Sequence, residues 1–190
     1  MTDQNSATIR SRGGFTIIEM LVSVSIMFIL LGIFLANYHY YGQQGQLDMT
    51  ALKLASDLRR IQNFALSLKE RNGIIPAGGW GIYAQENANY YRVFTDTNSN
   101  KTYDAGEQYQ NELFQLPTNY KISDIRGDGA SLPGNNGEIQ IIYIPPNPSI
   151  WLCRANNCTT KYNQVDIIIQ GQNSKTKTVT VNVYGLVEVN

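Results

Sequence analysis

From Phe15 to Ala36 the chain reads FTIIEMLVSVSIMFILLGIFLA, twenty-two residues with a single charge. A run of that length spans a bilayer core as one helix. Fourteen residues precede it, MTDQNSATIRSRGG, with Arg10 and Arg12 next to the apolar run. The positive-inside rule therefore predicts a single pass with the N-terminus in the cytoplasm and everything after Ala36 facing outward. A secretory signal peptide would close its apolar stretch with a small-residue cleavage site. Here the run is longer and leads straight into a helical pattern, so its removal is not expected. Composition narrows the chemistry further. Fifteen basic residues balance fifteen acidic ones, so nothing at whole-chain level calls for a polyanion, and nucleic acid is not expected as a partner. His39 is the one histidine and the cysteines number two, which removes most metal and triad chemistry.

Glu19 is the anomaly of the apolar run. An ionised carboxylate at mid-bilayer costs roughly 2.5–3.5 kcal/mol on insertion scales. Either it sits near the cytoplasmic interface and reaches the headgroups, or it has a partner. The string Arg12, Gly13, Gly14, Phe15, Thr16, Ile17, Ile18, Glu19 resembles the processing site of type IV prepilins and type II secretion pseudopilins. In both, a basic leader ends in glycine, followed by Phe and by Glu as fifth residue of the mature chain. The resemblance implies that a prepilin peptidase cuts between Gly14 and Phe15 and N-methylates the Phe15 amine. It also implies that Glu19 of an adjacent subunit pairs with that amine during assembly. Glycines suit such a site because they leave the backbone open to a protease.

Beyond the apolar run, Leu47, Ala51, Leu54, Leu58, Ile61, Ala65 and Leu68 recur at spacings of four and three, one face of an amphipathic helix. Lys53, Asp57, Arg59, Arg60 and Lys69 fall off that face. The spacing predicts a helix from Phe15 to about Arg71, with Asn72-Gly73 as its stop and a local break near Gly42 and Gly45. After Gly73 the pattern predicts antiparallel strands at residues 80–84, 90–95, 120–125, 138–144, 165–170 and 178–189. A hairpin turn falls at Gly171, and loops at 127–137 and 145–148. Arg126-Gly127-Asp128 reads as a turn. The expected organisation is a leader at 1–14, a long helix at 15–72 that is transmembrane over 15–36, and a β-rich head at 73–190. A long helix packed on an antiparallel sheet is an α+β arrangement, similar to the pilin fold of H-type minor pilins and pseudopilins.

Within the head, Asp96, Asn98, Asn100, Thr102, Asp104 and Glu107 occupy positions 1, 3, 5, 7, 9 and 12 of a calcium-loop spacing. Glu107 would close the shell bidentately. Lys101 stands where such a loop wants Gly, and strand-like residues precede Asp96, so this is an EF-hand-like loop and not an EF-hand. Neutral asparagines predict a weak calcium site, about 10⁻⁴ to 10⁻³ M. An Asn/Asp-rich turn with no ion is the other reading. Cys153 and Cys158, outside the membrane, are expected to form a disulfide in oxidising surroundings, with two free thiols as the alternative.

The chain also resembles, at its end, those H-type minor pilins that capture DNA through Gly-Arg-x-Arg, but here the string is Gly185-Leu186-Val187-Glu188 and both guanidinium groups are missing. Lys161, Lys175 and Lys177 read as a solvated hairpin face. The resemblance implies a structural subunit, minor pilin or pseudopilin, of a type IV pilus or type II secretion-like filament. Its partners would be the prepilin peptidase, other pilins and the inner-membrane assembly platform. It would reside in the inner membrane before assembly and in the extracytoplasmic filament after it. The alternative is a pilus-tip binding module for DNA uptake or surface adhesion. No Cys-His or Ser-His pairing falls outside the membrane, so no enzymatic activity is expected.

Overall fold

The computed structural model describes residues 14–132, 137–146, 149–155 and 157–190; Gly13, Arg10 and Arg12 lie outside the described residues. The chain forms two compact units, residues 1–42 and 43–190. One helix, α1 (Ile17–Leu66), contributes to both. It is continuous through Gly42 and Gly45, where the sequence predicts a break.

In the first unit every side chain from Ile17 to Leu35 is exposed, and this stretch of 19 residues is long and apolar enough to cross a membrane. Its two serines are satisfied locally. The Ser23 and Ser25 hydroxyls donate to the carbonyls of Glu19 and Leu21, both at 2.8 Å, which spares an apolar medium two unpaired donors.

In the second unit the apolar stripe of α1 is buried as its spacing predicts, from Leu47 through Ala51, Leu54, Leu58 and Ile61 to Ala65. Leu68 is the exception. The helix stops at Leu66, five residues earlier than expected. The Lys69 amide donates to the Phe64 carbonyl (2.9 Å), the Leu68 amide donates to the Ala65 carbonyl (3.2 Å), and Leu68 takes φ +53°. That is a Schellman ending with leucine where glycine usually stands. Asn72-Gly73 is a hairpin turn instead of a helix stop. Asn72 and Gly73 have φ +53° and +78°, and Arg71 and Ile74 exchange both backbone hydrogen bonds, at 2.8 and 3.1 Å. Asn-Gly at two successive positive φ values is the I′ signature.

Among the described residues eleven strands make two antiparallel sheets, where the sequence pattern predicts six strands in one. The six-stranded sheet runs in the order β3 (Gln108–Gln115), β2 (Tyr90–Asp96), β1 (Gly79–Gln85), β6 (Glu138–Ile144), β7 (Ser149–Arg154), β8 (Asn157–Lys161). The five-stranded sheet runs β11 (Val187–Val189), β10 (Thr176–Asn182), β9 (Gln164–Gln170), β4 (Lys121–Gly127), β5 (Ala130–Ser131). The predicted strand 178–189 is two strands, parted by a turn in which Gly185 takes φ +84° and Asn182 Oδ1 accepts the amides of Tyr184 and Leu186. Edge strand β3, QYQNELFQ, is too polar for its sequence to betray it, and it pairs with β2 alone. Arg126-Gly127-Asp128 ends β4 in a turn, where the Asp128 carboxylate accepts the amides of Asn163 and Gln164 at 2.9 and 3.0 Å.

Helix and both sheets share one hydrophobic core, to which α1 gives Leu54 and Leu58, β1 Trp80 and Ile82, β9 Val165 and Ile167. Ile122 and Ile125 on β4 both point into it although three residues apart. A bulge between Ile122 and Asp124 adds the residue that reconciles this spacing with strand alternation.

Candidate functional site

Gly14, Phe15 and Thr16 precede α1 without regular structure. A Cβ placed on Gly14 meets nothing within 4 Å, so the fold itself has no need of glycine there. Thr16 caps the helix: its hydroxyl oxygen accepts the Glu19 amide at 3.3 Å, and its carbonyl accepts the Met20 amide at 3.2 Å. Thr16-Ile-Ile-Glu19 thus has the T-x-x-E pattern of a capping box, a signal already present in the sequence. Glu19 also lies in the first turn, where the helix macrodipole favours a carboxylate.

The second candidate is the loop from Asp96 to Glu107. Lys101, at the sixth position, has φ +59°, the left-handed backbone such a loop requires there. Asp96 ends β2 and is fully buried. Its carboxylate accepts the amides of Asn100 (3.2 Å) and Lys101 (2.8 Å). Burial pushes its pKa above the ordinary carboxylate value, opposed by these amides and reinforced by Glu107. Asn98 and Asn100 each turn a side-chain oxygen to a backbone amide two residues on, at 3.0 and 2.7 Å, as Asx-turns do. Their amide groups donate to Asp104 Oδ2 at 2.8 and 2.9 Å.

Glu107, buried in a 3₁₀ turn (Ala105–Glu107), spends Oε1 on the Thr97 amide and hydroxyl (2.8 and 2.9 Å) and Oε2 on the Asp104 amide (3.2 Å). The Thr102 amide is the donor to Asn100 in this network. Among the described residues no group of three or more His, Cys, Asp or Glu side chains converges as a metal site. The loop therefore has the backbone of a cation loop, with its oxygens turned to amides.

The far end of that loop is held by a residue the sequence did not single out. The Arg71 guanidinium donates to the carbonyls of Gly106 (3.3 Å), Glu107 (2.9 Å) and Gln108 (3.2 Å) and to the Thr95 hydroxyl. Asp57 is a second such residue. Expected off the apolar face, it is 2% exposed. Its carboxylate accepts the Tyr91 hydroxyl (2.6 Å) and pairs with Lys53 (2.8 Å) and, at 3.5 Å, with Arg60. The i,i+4 and i,i+3 spacings of these charges were the signal for it.

Cys153 and Cys158 are bonded, with their Cα atoms 4.9 Å apart, across the β7–β8 hairpin. The three lysines read as one hairpin face are divided. Lys161 lies on β8 over the Trp151 ring, whereas Lys177 on β10 pairs with Asp48 at 3.2 Å.

Residues 9–35 match the family model for the prokaryotic N-terminal methylation motif. No curated protein and no solved structure matches the chain significantly. The motif covers the cleavage region and the apolar half of α1, and it points to a structural subunit and not to an enzyme. This processing motif, ahead of an α+β head, supports a type IV pilin-like family of the prepilin type.

Proposed function

We propose that this chain is a minor pilin or pseudopilin, cut by prepilin peptidase between Gly14 and Phe15 and assembled through α1 into a type IV pilus or secretion filament. The observation that carries this reading is the methylation motif at residues 9–35, with Glu19 in the first turn of a helix apolar enough to span a membrane. Residues 1–14 are the leader in this reading, and the chain crosses the inner membrane once, with Arg10 and Arg12 on the cytoplasmic side. The head is displayed outside the membrane, where a disulfide persists. Mass spectrometry of the protein recovered from filaments is expected to find N-methylated Phe15 at the N-terminus. An intact Met1 terminus in assembled material overturns the assignment.

Within the same reading, the Asp96–Glu107 loop takes calcium weakly. The left-handed Lys101 backbone and the oxygen spacing of Asp96, Asn98, Asn100, Thr102, Asp104 and Glu107 support it. At calcium about tenfold above the dissociation constant, linkage predicts roughly 1.4 kcal/mol of stabilisation. For a unit of this size that is a rise in Tm of about 3–6 °C. Magnesium should do less, and Asn98→Ala should reduce the shift. A melting curve unmoved by several millimolar calcium leaves a hydrogen-bonded Asx loop alone.

A further inference from the structure

The six-stranded sheet has a second face, turned away from the shared core, on which Tyr83, Phe94 and Ile142 form a separate buried cluster. Cross-strand register shows what shares that face. Tyr83 stands opposite Arg92 on one side and Gln140 on the other. Gln140 opposes Cys153, which opposes Lys161. Trp151 lies in the neighbouring row, opposite Ile142. The Asp96–Glu107 loop folds over the same face. The Tyr103 ring lies 5.1 Å from that of Tyr83 and 5.5 Å from that of Phe94, and its amide donates to Gln140 Oε1 at 2.8 Å.

Three cations lie on these rings. Lys101 and Lys161 sit 4.0 and 3.1 Å from the centre of the Trp151 ring, and Arg92 sits 4.5 Å from that of Tyr90. Among the described residues none of the three has an ion-pair partner. Burial, reinforced by the Glu138 carboxylate on the same face, pushes the Tyr83 pKa up. From β2 to β8 the cations span four strand spacings, about 19 Å. The face thus joins half-buried aromatic rings, carboxamides and a few well-separated positive charges.

We infer that this face binds an acidic polysaccharide, with uronate carboxylates pairing with Arg92, Lys101 and Lys161, which the rings of Tyr90 and Trp151 hold in place. A neutral glycan would leave the cations unused. A nucleic acid takes most of its affinity from dense phosphate neutralisation, which three spaced cations on a chain of zero net charge supply poorly. A carboxylate on every few sugars matches sparse charge, and hydrogen bonds from sugar hydroxyls supply the rest. Local arrangement, invisible in the charge balance, makes the surface.

The test is calorimetric titration of the full chain in detergent micelles with polygalacturonate, its methyl-esterified neutral form, and oligothymidylate. Polygalacturonate should bind and weaken with added salt, and the esterified form should bind at least about tenfold more weakly, the loss of one good charge pair. Lys161→Glu, at an exposed position, should cost about tenfold or more, and Trp151→Ala a similar factor by removing the ring that holds both lysines, while Trp151→Phe keeps an aromatic platform and most of the affinity. No binding to polygalacturonate, equal affinity for the ester, or an unaffected Lys161→Glu chain overturns the inference. Tighter binding to oligothymidylate overturns it in favour of a nucleic-acid surface. None of these outcomes bears on the N-terminus of the mature chain, so the assembly reading stands or falls separately.

Discussion

Glu19→Gln chains should enter the membrane as well as the native chain or better, be processed to Phe15, and fail to be incorporated into filaments. The cap on α1 does not depend on the charge. Its contact is from the Glu19 backbone amide to the Thr16 hydroxyl oxygen at 3.3 Å, and glutamine serves a capping box as glutamate does. Insertion improves, because a carboxylate in the apolar run costs roughly 2.5–3.5 kcal/mol at mid-bilayer. In the proposed assembly the substitution removes the countercharge for the Phe15 ammonium of an adjacent subunit, and removing one partner of a buried pair costs about 3–5 kcal/mol. Immunoblots of sheared filaments against membrane fractions read the split. Incorporation of Glu19→Gln at the native level would reduce Glu19 to a helix cap.

The largest effect on the head should come from Trp80→Ala. Trp80 is 0% exposed and joins three segments. Its ring meets Phe64 of α1 edge-on at 5.1 Å and Tyr109 of β3 at 4.9 Å, and its Nε1 donates to the Lys69 carbonyl at 3.2 Å. The Lys69 ammonium closes the cluster, 3.5 Å from the centre of the Phe64 ring. Truncation of a buried Trp costs about 3–5 kcal/mol, against a whole stability of about 5–15 kcal/mol. The thermal midpoint of the head, followed by circular dichroism, should fall by roughly 6–20 °C. Trp80→Phe keeps the edge-on ring contacts and forfeits the hydrogen bond, so it should fall by less. Leu52→Ala, at an exposed position of the same helix, should stay within about 0.5 kcal/mol of native. A Trp80→Ala midpoint as close to native as that of Leu52→Ala would show that the helix end is held elsewhere.

Much of this molecule was legible before any coordinates, because it is written in local periodicity. The apolar run and the stripe from Leu47 to Ala65 depend only on the pitch of a helix, and the processing motif is a contiguous string. Central strands such as β1, β6 and β9 announce themselves by the β-branched and aromatic residues that two buried faces demand. Sequence reasoning failed where one local signal serves two structures. Asn72-Gly73 fits a helix stop and a I′ turn equally, and only the bond from Lys69 to Phe64 ends the helix early.

It failed also where the deciding partner is remote. Edge strand β3 owes its existence to β2, and Asp57 is buried because Tyr91, 34 residues away, brings a hydroxyl to it. The calcium-like loop shows both halves of the lesson. Its oxygen spacing is visible in the chain, whereas the folded loop turns those oxygens to its own amides and is held by its backbone to the remote Arg71 and Gln140. Hydrogen bonds and charges are satisfied in space, so a sequence can state which groups need partners while tertiary structure alone determines which partners they get.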